Sequence, residues 1–140
     1  MKFAFFSAIL ALAAAAAAAT SQVRYDNTYD NAKGSLDTVA CSNGPNGIET
    51  RYGYKKFGDL PTFPNIGAAS AIAGYNSPAC GSCWKLTYGS KSIIVTAIDH
   101  AGTGFNIAEA AMNTLTGGHA VEFGVVNVTS TQVAANQCGL

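Results

Sequence analysis

The sequence predicts a small, mainly β protein, a compact β-barrel with two or more short helices and two disulfides, and three observations carry that prediction. Several segments rich in Val, Ile, Thr and aromatic residues are separated by glycine- and asparagine-rich turns. About 120 residues follow an N-terminal leader, enough for one core and not for two. Four cysteines (Cys41, Cys80, Cys83 and Cys138) sit in a chain addressed to an oxidising compartment.

The leader is read at residues 1–19. Lys2 supplies one positive charge, an apolar run extends from Ala4 to Leu12, and alanines continue to Ala19, where signal peptidase accepts small residues. The apolar stretch is too short, and lacks the flank, to anchor the chain across a hydrocarbon core of ~30 Å. Cleavage leaves a single domain, residues 20–140, secreted and free of the membrane.

Along the mature chain, aromatic and polar residues alternate from Val23 to Asn31 before a turn at Lys33-Gly34, and Leu36–Cys41 alternates as a half-buried strand does. Ser42–Gly47 reads as a loop from its Asn-Gly and Gly-Pro steps, and the prolines keep Leu60–Pro64 out of a central strand. Asn65 is placed to cap a short helix through Ile72 that stops at Gly74. Asn106 and Glu109 resemble a capping box opening a second helix through Leu115, with Gly117-Gly118 as its stop. Cys83–Tyr88, Ser92–Ile98 and Ala120–Thr129 read as strands, and the continuous Val and Ile of Ile93–Ile98 imply burial on both faces.

Eight Lys/Arg balance eight Asp/Glu, and loss of Lys2 leaves seven against eight. A near-neutral surface excludes duplex nucleic acid and anionic membranes as main partners, since both require clustered positive charge. Cys80-Gly81-Ser82-Cys83 has redox spacing, but no βαβ pattern surrounds it; Cys41 and Cys138 do not form a second zinc-type pair, and His100 and His119 lack zinc-finger spacing. Structural disulfides are expected, with no metal and no cofactor. Three pairings are open.

Two regions gather polar residues: Tyr25, Asp26, Tyr29 and Asp30, and the strand end Ile98–Asn106, where Asp99 leaves an apolar strand as a glycine-rich loop opens. Asp99 there is either a binding or acid/base residue, or a shaper of the loop through backbone N–H bonds. Glycoside hydrolysis needs a second carboxyl, and Asp26, Asp30 and Glu49 are candidates that no spacing ties to Asp99. His100 adjoins Asp99 but points to the opposite strand face. Neither G-x-S-x-G nor a phosphate-binding loop is present. Tyrosines 25, 29, 52, 54 and 75, Trp84 and Asn43, Asn46, Asn76 and Asn106 suit sugar faces and hydroxyls, although Trp84 reads better as core. Asn127-Val128-Thr129 is a glycosylation sequon inside a predicted strand.

Five motifs then converge: Val23-x-Tyr25-Asp26, Cys41-Ser42-x-Gly44-x-Asn46-Gly47, Leu60-Pro61-x-Phe63-Pro64-x-Ile66-Gly67, Tyr75-Asn76-Ser77-x-x-Cys80-Gly81-x-Cys83-Trp84, and Ile98-Asp99-x-Ala101-x-x-Gly104-Phe105-Asn106-Ile107-Ala108. In this order they resemble the cerato-platanins, small secreted fungal proteins, over essentially the whole mature chain. The departures are Tyr75, where many members carry Trp, and Ala68, where glycine is frequent; they bear on ligand preference more than on fold.

The resemblance implies a six-stranded double-psi β-barrel related to the first domain of expansins, with disulfides Cys41–Cys80 and Cys83–Cys138. It also implies a fungal-wall or extracellular location and a non-enzymatic role: binding chitin or N-acetylglucosamine oligomers, with cellulose a further polymer, loosening polysaccharide without hydrolysis, and eliciting plant defence or necrosis through a plant receptor. Asp99 matches the aspartate shared with expansins, and Tyr25, Asp26, Asn43, Asn46, Asn76 and Asn106 match polar positions of a shallow groove. Two other functions compete: a small endoglucanase with Asp99 as general acid, and a surface-active wall protein that self-assembles.

Overall fold

The computed structural model describes residues 17–140. The first sixteen residues of the expected leader, 1–19, lie outside that range, while Ala18 and Ala19 belong to a strand. Six strands, β1 (Ala18–Tyr25), β2 (Ile66–Ala69), β3 (Cys83–Tyr88), β4 (Lys91–His100), β5 (Phe105–Ile107) and β6 (Val125–Val133), close into a barrel in the order β1-β5-β2-β4-β3-β6. The β1–β5 and β2–β4 pairs are parallel and the other four antiparallel. Among the described residues, closure leaves no free sheet edge.

The strand chemistry follows the pattern of the residues. β6 alternates buried Val126, Val128 and Ser130 with exposed Val125, Asn127 and Thr129, the period of two expected where one face meets the core. In β4 the run Val95–Ile98 is buried throughout, Thr96 included, whose hydroxyl pairs with that of Thr62. Val23, Leu86, Val95 and Ile107 are almost fully buried in the core, each contributing about 1.5–3 kcal/mol of apolar burial. Helix α2 (Glu109–Thr116) packs Ala111, Met112 and Leu115 inward, against β4, β3 and β1.

Four local expectations are corrected. The segment after Asn65 is strand β2, not a helix: its four residues are buried between β4 and β5. A Cβ on Gly67 would lie 2.4 Å from the Asn106 carbonyl oxygen, so glycine permits a backbone contact that outweighs local helix preference. Asn106 is not a helix cap but the middle of β5; the cap position of α2 is Ala108, whose side chain cannot cap. Asp30, about eighty residues earlier, does the work instead, accepting from the Glu109 and Ala110 amides at 2.9 and 3.0 Å. Leu36–Thr38 is a 3-10 turn capped by the Ser35 hydroxyl. The expected strand from Ala120 begins with helix α3 (Ala120–Phe123), which ends at Gly124 with φ 67° before β6 starts. A further short helix, α1 (Ile48–Tyr52), went unforeseen.

The cysteines pair as Cys41–Cys80 and Cys83–Cys138. The C-x-x-C therefore anchors two separate loops.

Candidate functional site

Strand register determines which polar residues meet. Asp99 on β4 stands beside Ala68 on β2, Ala68 beside Asn106 on β5, Asn106 beside Arg24 on β1, and Arg24 beside Val125 on β6. These positions form one lateral row across adjacent strands, spaced at about 4.8 Å per strand. Ala68 is buried, Asn106 half-buried and Arg24 exposed. Tyr25 and Asp26 extend the β1 end of the row, where the Asp26 amide donates to the Ile107 carbonyl at 2.8 Å.

Asp99 is held by three donors. Its Oδ1 accepts from the backbone amides of Ala40 (3.0 Å) and His100 (2.9 Å), and its Oδ2 accepts from the Tyr29 hydroxyl at 2.8 Å. A carboxylate has about four acceptor positions, and these three donors take two on Oδ1 and one on Oδ2. Burial above all, then the Asp99 hydrogen bond and charge and the Asp26 charge, push the Tyr29 hydroxyl well above the usual tyrosine range. Tyr29 thus stays a proton donor that fixes the carboxylate. Of the two readings of Asp99, these bonds bear on the shaping one: the carboxylate pins the Ala40 segment through backbone N–H donors.

The Ala40–Asn43 segment leads from Asp99 to a second polar cluster. Its Cys41 amide donates to the Ile98 carbonyl, and Cys41 is tied to Cys80. Beyond it, the Asn46 backbone amide donates to Asn76 Oδ1 at 2.8 Å, Asn46 Nδ2 donates to the Asn76 carbonyl at 3.1 Å, and the Tyr75 hydroxyl donates to Asn43 Oδ1 at 2.8 Å. Asn76 adopts φ 58°, a left-handed conformation that asparagine tolerates. The Tyr75 ring is 65% exposed. Asn43, Asn46 and Asn76 therefore form one group, and Asp99, Asn106, Tyr25 and Asp26 another.

Of the proposed second carboxylates, Asp30 is occupied in capping α2 and Glu49 interacts with Asp37, whose carboxyl raises the Glu49 pKa. Asp26 is the one whose charge reaches Tyr29, and its Oδ1 accepts the Thr28 amide at 2.8 Å. His100 turns away as strand alternation predicts: its Nδ1 bonds the Ile72 carbonyl at 2.6 Å. A carbonyl only accepts, so this nitrogen carries the proton. Trp84 is half-buried, meeting Phe105 edge-on at 5.4 Å.

Sequence reasoning named Tyr29 and Tyr75 among the rings suited to sugars without tying them to Asp99 or Asn43, and it did not single out Arg24. Tyr29 was visible only as one of several N-terminal rings, and its pairing with Asp99 spans the fold. Arg24 carried no signal because its neighbour Asn106 is set by parallel pairing of distant strands.

Comparison with known proteins places this geometry. The family model described as Cerato-platanin matches residues 21–140. The heat-stable 19 kDa antigen of Coccidioides immitis is 44% identical over 146 residues, covering 100% of this chain and 99% of that protein. The crystal structure of cerato-platanin 2 from M. perniciosa shares 54% identity with a TM-score of 0.83, covering 87% of this chain and 100% of that one. The solution structure of the fungal elicitor Cerato-Platanin shares 39% identity with a TM-score of 0.74, covering 84% and 95% respectively. A Clavibacter michiganensis expansin, at 16% identity and a TM-score of 0.54, covers 84% of this chain with 51% of its own and shares the fold.

Proposed function

The chain belongs to the cerato-platanin family, and from that premise we propose that it acts outside the cell as a non-catalytic carbohydrate-binding protein. The ligands are chitin or N-acetylglucosamine oligomers, with cellulose as a further polymer. Binding loosens wall polysaccharide in an expansin-like way, and recognition by a plant receptor elicits defence. The observation that carries the reading is the open row from Asp99 through Asn106 to Arg24, flanked by the exposed Tyr75 ring and the Asn43–Asn46–Asn76 cluster. Rings and amides of this kind meet the C–H faces and hydroxyls of a sugar chain. The likeness to a solved fungal elicitor supports the plant-facing part.

Hydrolysis is the weaker reading. A general acid must bring a proton to the leaving oxygen, whereas Asp99 accepts three protein donors and Asp26 caps the turn that follows it.

Amide NMR titration of the mature protein with N-acetylglucosamine oligomers tests the binding. Perturbed amides are expected at Arg24–Asp26, Asn43–Asn46, Tyr75-Asn76 and Asp99–Asn106, with little dependence on salt because a neutral sugar offers no charge to screen. Perturbations that avoid these segments overturn the site. Reducing-sugar release from a soluble glucan, abolished in Asp99→Asn, overturns the non-catalytic reading.

A further inference from the structure

We propose that Asn127 is an N-glycosylation site and that its glycan covers the apolar edge of the barrel beside α3. The sequon Asn127-Val128-Thr129 lies entirely within β6, and alternation sorts its three side chains. Val128 is buried in the core, while Asn127 and Thr129 are exposed on the outer wall. The two groups a transferase must read are therefore both available, and the residue the core needs is the one the sequon leaves free. Their β1 partners, Gln22 opposite Asn127 and Thr20 opposite Thr129, are also exposed. A glycan at Asn127 thus leaves the barrel without displacing a packed side chain.

A strand position is no obstacle to transfer, because the acceptor is modified before the strand is inserted. β6 is the last strand in the chain and pairs with both β1 and β3, so its docking closes the barrel. Cys138, the partner of Cys83, follows it. Until closure, the sequon is extended and open. The amide nitrogen of Asn127 attacks C1 of the sugar on a lipid-linked diphosphate oligosaccharide. The N–C1 bond forms, the C1–O bond to the diphosphate breaks, the lipid diphosphate leaves, and the amide loses one proton.

Location gives the modification its consequence. Val125, two residues earlier on the same outer face, is 40% exposed, and Val121 and Phe123 on α3 are 63% and 40% exposed. Two residues of strand span about 7 Å, so the first sugar of a glycan at Asn127 reaches Val125. Across β3 the register sets Thr129 beside Thr87 and Thr87 beside Ser92, seven residues along β4 from Asp99, which keeps the glycan away from the carboxylate.

The inference rests on entry into the secretory route and not on sugar binding, so its test is independent of the titration above. The full chain is secreted from a fungal host that glycosylates a control protein, and its intact mass is measured before and after peptide-N-glycosidase treatment. A glycan-sized mass loss with conversion of Asn127 to Asp is expected. Thr129→Ser retains the glycan, and Thr129→Val, a change suited to a strand, abolishes it while the barrel's circular dichroism is unchanged. The mass of the bare polypeptide in the secreted protein, or an increment that persists in Thr129→Val, overturns the site. Removing the glycan is expected to increase binding of a hydrophobic dye, and unchanged dye binding overturns the covering role.

Discussion

The Tyr29 hydroxyl donates to Asp99 Oδ2 at 2.8 Å, joining a 3-10 turn near the start of the domain to the exit of β4 seventy residues later. Tyr29→Phe removes that donor and keeps the ring against Phe57. The variant is expected to lose about 1–2 kcal/mol, the cost of leaving a half-buried carboxylate oxygen short of one partner. Thermal denaturation measures this loss. The sign with pH follows from the raised Tyr29 pKa: the native state keeps the hydroxyl protonated, while the unfolded chain ionises it near the ordinary value of 10.0. The stabilisation is thus full below about pH 10 and is lost as pH rises beyond it. Tyr29→Phe should flatten that alkaline decline, and an unchanged slope would remove Tyr29 as its source.

Asp99 itself separates two substitutions. In Asp99→Asn the remaining carbonyl oxygen can serve the Ala40 and His100 amides, and the new amide can donate to the Tyr29 hydroxyl oxygen. Asp99→Ala strips all three donors of their acceptor. The alanine variant should be the less stable by about 1–3 kcal/mol, read by urea denaturation, with the Ala40–Asn43 amides shifted in its NMR spectrum. Equal stability of the two variants would mean the three bonds do not hold the segment.

How much could be read in advance depended on the range of the interaction involved. β3 and the body of β4 follow from residues within each segment, and both emerged with nearly their observed ends. β2 did not, because its strand character comes from β4 and β5 on either side and from the backbone approach at Gly67. The capping residue of α2 was misplaced for a related reason: Asn106 and Glu109 carry the local signature, but the carboxylate that receives the helix amides is Asp30. In the site, Asp99 was legible from the abrupt polar exit of an apolar strand, whereas Arg24 and Tyr29 enter through pairings that sequence separation conceals.

Asp30 offers a direct measure of that distant cap. Asp30→Ala leaves the Glu109 and Ala110 amides unpaired at a helix N-terminus, and a lost cap costs about 0.5–2 kcal/mol. The loss should appear as faster hydrogen exchange in the first turn of α2. Exchange unchanged at Glu109 and Ala110 would show that water replaces the carboxylate at no cost.

Half-buried Glu49 and exposed Asp37 form an acidic pair, and the Asp37 carboxyl raises the Glu49 pKa, chiefly as a hydrogen-bond partner of the protonated form. A carboxyl raised in the native state binds its proton more tightly there than in the unfolded chain. Its favourable contribution is present at pH below the unfolded value of 4.5 and is lost as pH rises through the folded value. Glu49→Gln is therefore expected to stabilise the protein at pH 7, by only a few tenths of a kcal/mol given the exposure, and to give no advantage near pH 3. A gain that is the same at both pH values would point to a cause other than charge.

The two disulfides close chain separations of 39 and 55 residues, and chain entropy assigns each about 4 kcal/mol. Their similar loops hide different local roles. Cys41–Cys80 binds the segment between Asp99 and Asn43 to the stretch that follows Asn76, so replacing both cysteines by serine should loosen the Asn46–Asn76 hydrogen bonds. Cys83–Cys138 fastens the C-terminal 3-10 turn (Ala135–Cys138) to the start of β3, and its removal should free that turn while the asparagine cluster stays ordered. Hydrogen exchange on the two double-serine variants distinguishes the effects. Faster exchange at the Asn46 amide is expected only without Cys41–Cys80; the same increase in both variants would mean that barrel stability as a whole, and not this bridge, holds the cluster in place.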